Sequence, residues 1–302
     1  MSYRLRKKIL EWIAIAACWI VALLIFFPII WMFLTSLKTE GGAVSLPPSA
    51  LPAPGFVIEA VAAAALPEWL AWMKTALFEP TFGSYQTVFE REGYFRFLTN
   101  SLIISFGSTA LAMAIAIPSA YAMAFAGGPG TRGILLWMLS TKMLPAVGVL
   151  MPIYLIAQTF KLLDTHILLI VIYALMNLPI IMLILYNFFK EIPSEILEAG
   201  RIDGATTWEE LVKIVLPLAW GGLASTALLS IVLAWNEAFW SVLLTTTKAA
   251  PLTTFIAGYT APEGLFWAKV SAASTLAVAP ILVFGWLTQR QLVQGLTFGA
   301  VK

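Results

Sequence analysis

The chain has 302 residues, of which 60% are hydrophobic and only 11% charged, with a formal net charge of +2. Soluble domains carry about a quarter charged residues, so a water-soluble fold is excluded. The apolar residues fall in runs of about 20 that do not alternate, which fits helices crossing a bilayer and excludes a membrane β-barrel, whose strands alternate over about ten residues.

The first run, residues 9–37, follows the basic start Arg4, Arg6, Lys7 and Lys8. It is too long for the core of a secretory signal and lacks a small-residue cleavage pattern, so it reads as a retained span. Its Cys18 is the one cysteine of the chain, which rules out an intrachain disulfide and a cysteine-rich metal site. Residues 38–97 follow as the longest stretch outside the bilayer. Their apolar piece, residues 56–66, is too short to span, and Trp69, Trp72 and Met73 predict a short interfacial helix with its tryptophans at headgroup level, a plain external loop being the alternative. Five further spans are predicted at 98–126, 133–160, 167–189, 218–244 and 267–288, for an all-α protein with six transmembrane helices. Pro118, Pro145, Pro152, Pro179 and Pro280 fall inside them and predict kinks. Small residues, among them Gly107 in the second span and Gly222 in the fifth, mark where helix backbones can approach closely.

Lys and Arg set the orientation. With the N-terminus inside, the cytoplasmic segments carry Arg4, Arg6, Lys7, Lys8, Arg132, Lys190, Arg201, Lys213, Arg290 and Lys302. The longer outer segments carry Lys38, Lys74, Arg91, Arg96, Lys161, Lys248 and Lys269. Both termini are therefore expected in the cytoplasm. The expected organisation is an N-terminus and first span (1–37), a periplasmic segment (38–97), and a core of five spans (98–302).

Between the fourth and fifth spans lies a stretch that a mere connector does not need. Pro193 and Ser194 offer a helix start with Ser194 as N-cap, Glu195 and Glu198 sit where a helix dipole favours acids, and Gly204 offers a stop. A short helix over about 194–203 outside the membrane is predicted, before the chain re-enters at Pro217. Glu198-Ala199, Gly204, Ile214, Leu216 and Pro217 stand at the spacing of the signature loop of binding-protein-dependent ABC importer permeases, which this chain resembles. Gly200 departs from it, since the family usually has a second alanine there. The resemblance implies that this helix docks in a cleft of an ATP-binding subunit, with Glu198 making the polar contact, Ala199 and Gly200 keeping the face small, Asp203 at its end and Gly204 allowing the turn.

The likeness covers most of the chain. Asn177-Leu-Pro179, the segment from Trp235 to Trp240, and the tail from Gln289 to Lys302 look like the second permease subunit of the maltose-type carbohydrate branch. The segment Ala261-Pro-Glu263-Gly-Leu-Phe-Trp-Ala-Lys269 is similar to sorbitol/mannitol permeases, with Ala261 for the usual serine. Residues 43–78 make a longer insertion than the branch leads one to expect. The resemblance implies a bacterial inner-membrane heterodimer with a paralogous permease, two ATP-binding subunits and a periplasmic solute-binding protein. It implies import of a carbohydrate, in the first place a polyol such as sorbitol or mannitol, with an oligosaccharide or another monosaccharide derivative as the alternative. The loop at about 245–265, with Thr254, Tyr259 and Glu263, would meet the binding protein, and the tail from about 295 would approach the ATPase.

Polar groups inside a span are costly and usually face a cavity or a partner. Asn236 and Glu237, flanked by Trp235, Phe239 and Trp240, combine hydrogen-bonding groups with aromatic faces and are candidates for the translocation path, or equally for an internal brace. Lys142 is a further path candidate, though pairing with a carboxylate is the favoured reading for it, and His166, near Asp164, is expected to make a loop-end hydrogen bond. No phosphate-binding Gly-x-x-x-x-Gly-Lys-Ser/Thr motif, nucleophile–base pair or metal spacing is present. The chain is thus expected not to be an enzyme and to hold no cofactor, with ATP-Mg on the partner ATPase. An ion-coupled secondary transporter, which would work alone, is the rival class.

Overall fold

A computed structural model describes residues 3–91, 93–259 and 266–297. In chain order its helices are α1 (Tyr3–Ser36), α2 (Glu40–Ala43), α3 (Gly55–Ala63), α4 (Met73–Ala76), α5 (Gly83–Gln86) and α6 (Tyr94–Phe125). Then come α7 (Thr131–Thr141), α8 (Ala146–Thr159), α9 (His166–Lys190), α10 (Ser194–Ile202) and α11 (Thr207–Glu209). The last five are α12 (Leu216–Leu218), α13 (Trp220–Trp235), α14 (Phe239–Leu244), α15 (Leu252–Ala257) and α16 (Trp267–Thr297). Two compact units result, one formed by residues up to Gly93 with Tyr259–Val278, the other by Tyr94–Gly258 with Ala279–Lys302.

In the first unit, α1 from Trp12 onward is apolar around its whole circumference, as a lipid-facing helix must be. At its end Lys38 is buried, with its ammonium donating to the Ser49 carbonyl and lying over the Trp31 ring; burial holds its pKa below the usual lysine range. The first turn of α16 is capped by a distant residue. The Glu40 carboxylate accepts from the backbone N–H groups of Ala268 and Lys269, both at 3.0 Å, placing a negative charge where the helix dipole and its unpaired donors favour one. The tryptophan segment forms no continuous interfacial helix. It is split into a 3-10 turn at Glu68–Leu70 and the single turn α4, with Trp69 and Trp72 exposed. The apolar piece before it is α3, nine residues and too short to span. Leu51–Pro52 and Leu77–Phe78 pair as two short parallel strands, an addition to the all-helical expectation.

The second unit is organised by α6 and α9, with α13 packed against both. Lipid offers no hydrophobic drive for this association, so close van der Waals contact and interhelical hydrogen bonds must supply it. A Cβ on Gly107 of α6 would stand 2.9 Å from Ile170 of α9, and one on Gly222 of α13 would stand 2.6 Å from the Phe188 ring. Thr109 Oγ1 donates to Ser230 Oγ across the buried α6–α13 seam at 3.0 Å.

Among the described residues, four helices are long and apolar enough to cross a bilayer, Glu11–Ser36 within α1, α6, α9, and Trp267–Trp286 within α16, and two bent pairs bring the number to six if each is one span. The expected third span is not one helix: α7 and α8 meet at 86° across Lys142–Pro145. The expected fifth is α13 alone, preceded by a leg, Thr207–Leu218, that meets it at 81°, and followed by a break before α14. Of the five prolines expected to interrupt spans, four remain inside continuous helices; Pro145 alone stands at a break, as the N-cap of α8.

Candidate functional site

The surface helix α10 begins differently from the expectation. Pro193 occupies the N-cap with no side-chain cap bond, and Ser194 is the first helical residue. Proline has no N–H to leave unpaired, and its fixed φ lets the chain enter the helix directly. Glu195 in the first turn and Arg201 in the last both suit the dipole. The helix ends as expected. Gly204 has φ +85°, where a side chain would be strained, and the turn is closed by Ala205 N–H donating to Gly200 C=O at 3.0 Å.

Leu197 is the anchor of α10, 1% exposed within the core formed by α6, α9 and the re-entering leg. Glu198, Ala199, Ile202, Asp203 and Gly204 are all exposed, Ile202 at 87%. Gly200 faces inward. A Cβ there would stand 2.6 Å from Ile214 Cδ1, so an alanine at this position would require the end of that side chain to turn aside.

A brace that the sequence reading did not single out ties α10 to the spans. The Arg201 guanidinium donates through Nε to Glu210 Oε2 at 2.7 Å and through Nη2 to Oε1 at 2.9 Å. The Tyr121 hydroxyl of α6 donates to the same Oε1 at 2.6 Å. Glu210 is 1% exposed at the start of a π-helical turn, Glu210–Val215, whereas the Arg201 side chain is about half exposed. The paired guanidinium holds the Glu210 carboxyl below the ordinary carboxylate range against the opposing effect of burial, and the Glu210 carboxylate in turn pushes Arg201 further above its own. The neighbouring Glu209 does a different job. It closes a capping box with Thr206 and pairs with Lys213 at 2.7 Å, and that pairing, with the cap bonds, lowers its carboxyl to about 2. A carboxylate immediately after a capping Glu, with Leu211 next to it, was the available sign that one of the two acids turns inward.

The path candidates gather at two helix breaks. Asn236 ends α13 and is exposed, its side-chain amide donating to Val232 C=O at 2.8 Å. Glu237 follows in the gap, its Oε1 accepting from Trp240 N–H at 3.3 Å at the start of α14. Its carbonyl accepts from Tyr173 Oη at 3.2 Å and Thr253 Oγ1 at 3.0 Å. Lys142 sits at the α7–α8 break and is exposed. Glu237 is the carboxylate whose charge acts on it, but the expected ion pair is not formed: no contact within 4.0 Å joins them. The aromatic neighbours divide. Phe239 is half-buried, while Trp235 and Trp240 are 6% and 2% exposed, so both indoles face the protein interior and offer no open stacking face.

The turn after α14 is fixed from below. Asp164 accepts backbone N–H bonds from Thr246, Thr247, Lys248 and Ala249 at 3.0–3.2 Å. Burial alone would raise its carboxyl, but these four donors outweigh it and hold it well below the carboxylate range. Asn100 Nδ2 donates to the carbonyls of Lys248 and Ala250, both at 2.9 Å, which leaves its Oδ1 as acceptor; His166 Nε2 therefore donates to it at 2.8 Å. Beyond this turn, Thr254 has its hydroxyl turned inward without a hydrogen-bond partner and Tyr259 is 5% exposed, so neither is presented as the contact residue expected of it. Glu263, Ala261 and the end of the tail lie outside the described residues.

Residues 112–293 match the family described as binding-protein-dependent transport system inner membrane component. The chain is 30% identical over 283 residues to a probable ABC transporter permease, y4oR, of Sinorhizobium fredii, covering 94% of this chain and 92% of that one. It is 34% identical over 229 residues to the trehalose transport system permease protein SugB of Mycobacterium tuberculosis, covering 74% and 82%. Among solved structures, a chain of a bacterial ABC transporter involved in import of the acidic polysaccharide alginate superposes with a TM-score of 0.70 at 20% identity, covering 96% of this chain and 98% of that one.

Proposed function

Since the chain belongs to the family of binding-protein-dependent transport system inner membrane components, we propose that it is the permease subunit of an ATP-driven carbohydrate importer and that α10 is its mechanical input. The observation that carries this reading is the division of α10 into two faces. Glu198, Ala199, Ile202 and Asp203 are left exposed, while Leu197 and the Arg201–Glu210–Tyr121 brace bind the other side to α6 and to the leg of α13. A short helix held this way moves with the groove that receives it and carries two spans along as rigid bodies. ATP hydrolysis then belongs to two separate ATP-binding subunits, and a paralogous permease and a periplasmic solute-binding protein complete an inner-membrane assembly with both termini of this chain in the cytoplasm.

The cargo class follows less from geometry than from relatives. A relative named for trehalose favours a glycoside of disaccharide size, whereas the segment Ala261–Lys269 resembles polyol permeases and keeps sorbitol or mannitol as the second reading. Asn236 and Glu237 are the proposed polar contacts at the path, with Lys142 across from them; Phe239 is the one flanking aromatic that is not buried.

The test is uptake by vesicles carrying the assembled transporter, with labelled trehalose and labelled sorbitol in parallel. Glu198→Lys is expected to abolish ATP-dependent uptake of whichever cargo is carried and to weaken association with the ATPase, while insertion is normal. Uptake that needs no ATP and survives the substitution would establish a secondary transporter instead.

A further inference from the structure

One cavity in the first unit has no role in the reading above. It encloses about 440 Å³ between the outer turns of α1 and the first turns of α16, within the range of small-molecule sites. Phe27, Trp31 and Met32 form one wall; Trp267, Ser271 and Ser274 form the other. Thr35 closes one end. It is 6% exposed, and its hydroxyl has no hydrogen-bond partner.

That hydroxyl is anomalous. A helical Ser or Thr ordinarily returns its hydroxyl to the carbonyl four residues back. Thr99, Ser119, Thr159 and Thr226 all do so here, at 2.7–2.8 Å. Thr35 forgoes that bond to Trp31 and leaves its oxygen at the cavity wall, although an unpaired hydroxyl in an apolar site is destabilising. Its neighbour Ser36 is paired twice, to Phe33 C=O and Tyr85 Oη, so the backbone there does not forbid a bond.

We propose that this cavity binds one phospholipid, its acyl chain along Phe27, Trp31 and Met32 and an ester oxygen accepting from Thr35. The chemistry of the wall selects this occupant. No charged side chain lines the cavity, and its hydroxyls, Thr35, Ser271 and Ser274, are three against a mostly hydrocarbon surface. A sugar would bury many hydroxyls with few partners here. Lys38 is committed to Ser49 and to the Trp31 face, and the Lys269 ammonium lies over the Phe266 ring, so neither lines the cavity to recruit a phosphate. Depth agrees as well, because the end of one span and the start of another meet at the bilayer interface, where tryptophans and ester groups lie. The site needs only that the chain is inserted in a bilayer and is independent of the cargo.

The experiment uses the assembled transporter in vesicles containing a trace of phosphatidylethanolamine with a diazirine in mid-acyl chain, with the adducts mapped to peptides. Adducts are expected to concentrate on the peptides spanning 27–35 and 267–274, above the lipid-facing 19–26 stretch of α1. Thr35→Val keeps the shape and removes the hydroxyl, and is expected to lower this labelling about five-fold, the worth of one hydrogen bond. Ser274→Phe fills the space and should reduce labelling to that of 19–26 while uptake shows the protein folded. Labelling no higher than at 19–26 in the wild type, or unchanged by both substitutions, would overturn the site. So would a Thr35→Cys variant that cross-links to a protein subunit in place of lipid.

Discussion

Replacing Glu210 by Gln keeps the size of the side chain and removes its charge. Three hydrogen bonds converge on the carboxylate, two from Arg201 and one from Tyr121. An amide offers one oxygen, so if that oxygen takes the Oε1 place the bond from Nε meets an NH2 group; in the other orientation two bonds are lost. A hydrogen bond to a charged group contributes about 1.5–3 kcal/mol, and the neutral amide leaves no buried charge behind, so the expected loss in stability is about 2 kcal/mol. Tyr121→Phe removes one bond and should cost about 1 kcal/mol. Arg201→Gln should be the most damaging of the three, because it strands the carboxylate of a residue that is 1% exposed. Thermal unfolding of the purified complex, followed by near-ultraviolet circular dichroism, ranks the variants. Uptake per ATP hydrolysed in vesicles reports the coupling, which should fall in Glu210→Gln even where the ATPase still associates. An Arg201→Gln variant more stable than Tyr121→Phe would refute the reasoning, as would a Glu210→Gln variant with wild-type stability and an unchanged uptake-to-hydrolysis ratio.

Gly200→Ala would push Ile214 Cδ1, 2.6 Å away, out of its rotamer at about 1 kcal/mol. The gain of about 1 kcal/mol of alanine over glycine in a helix offsets this, so the unfolding temperature should change little; adding Ile214→Val should raise it. Asp164→Asn puts an amide where four backbone N–H groups need an acceptor, and hydrogen exchange at Thr246–Ala249 should accelerate at least ten-fold, the equivalent of about 1.4 kcal/mol. Protection of the same amides should also depend on pH in one direction. The carboxyl is depressed on folding, so its stabilisation is complete above the ordinary Asp value of 3.8 and lost as pH falls toward the folded value; protection that weakened on raising the pH from 5 to 7 through this group would contradict the assignment.

How far the sequence could be read depended on whether the signal was local. The long apolar runs located α1, α6, α9 and α16, because a bilayer demands uninterrupted internal hydrogen bonding over about 20 residues and little else can satisfy it. The third and fifth spans are bent pairs rather than single straight helices, which hydropathy could not show because it does not register a change of direction. Pro118, Pro152, Pro179 and Pro280 stay inside helices, and Pro145 differs from them in following a charged residue, Lys142, by three positions, a combination that closes one helix and starts another. The signature spacing located α10 and its Gly204 turn, both written in consecutive residues. The brace was illegible, because Tyr121 lies 89 residues from Glu210 and nothing in either neighbourhood announces the other. For Trp235 and Trp240 residue type left the path and an internal brace equally open, because which side of a short helix turns inward is decided by its packing partners.

The right-angled elbow ahead of α13 gives the molecule a gearing. The leg Thr207–Leu218 stands at 81° to α13, and its π turn, Glu210–Val215, packs beside α10. Under the proposed coupling it would serve as a crank at most about 18 Å long at 1.5 Å per residue, so that sweeping its tip by about 3 Å would turn α13 by about 10° around its own axis. Torsion of this kind leaves the depth of a span unchanged, and the hydrocarbon match of its apolar surface with it. What it alters is azimuth, at the far end where Asn236 and Glu237 leave the helix: the polar pair is swung sideways, toward or away from whatever faces it, without being pushed deeper into the bilayer.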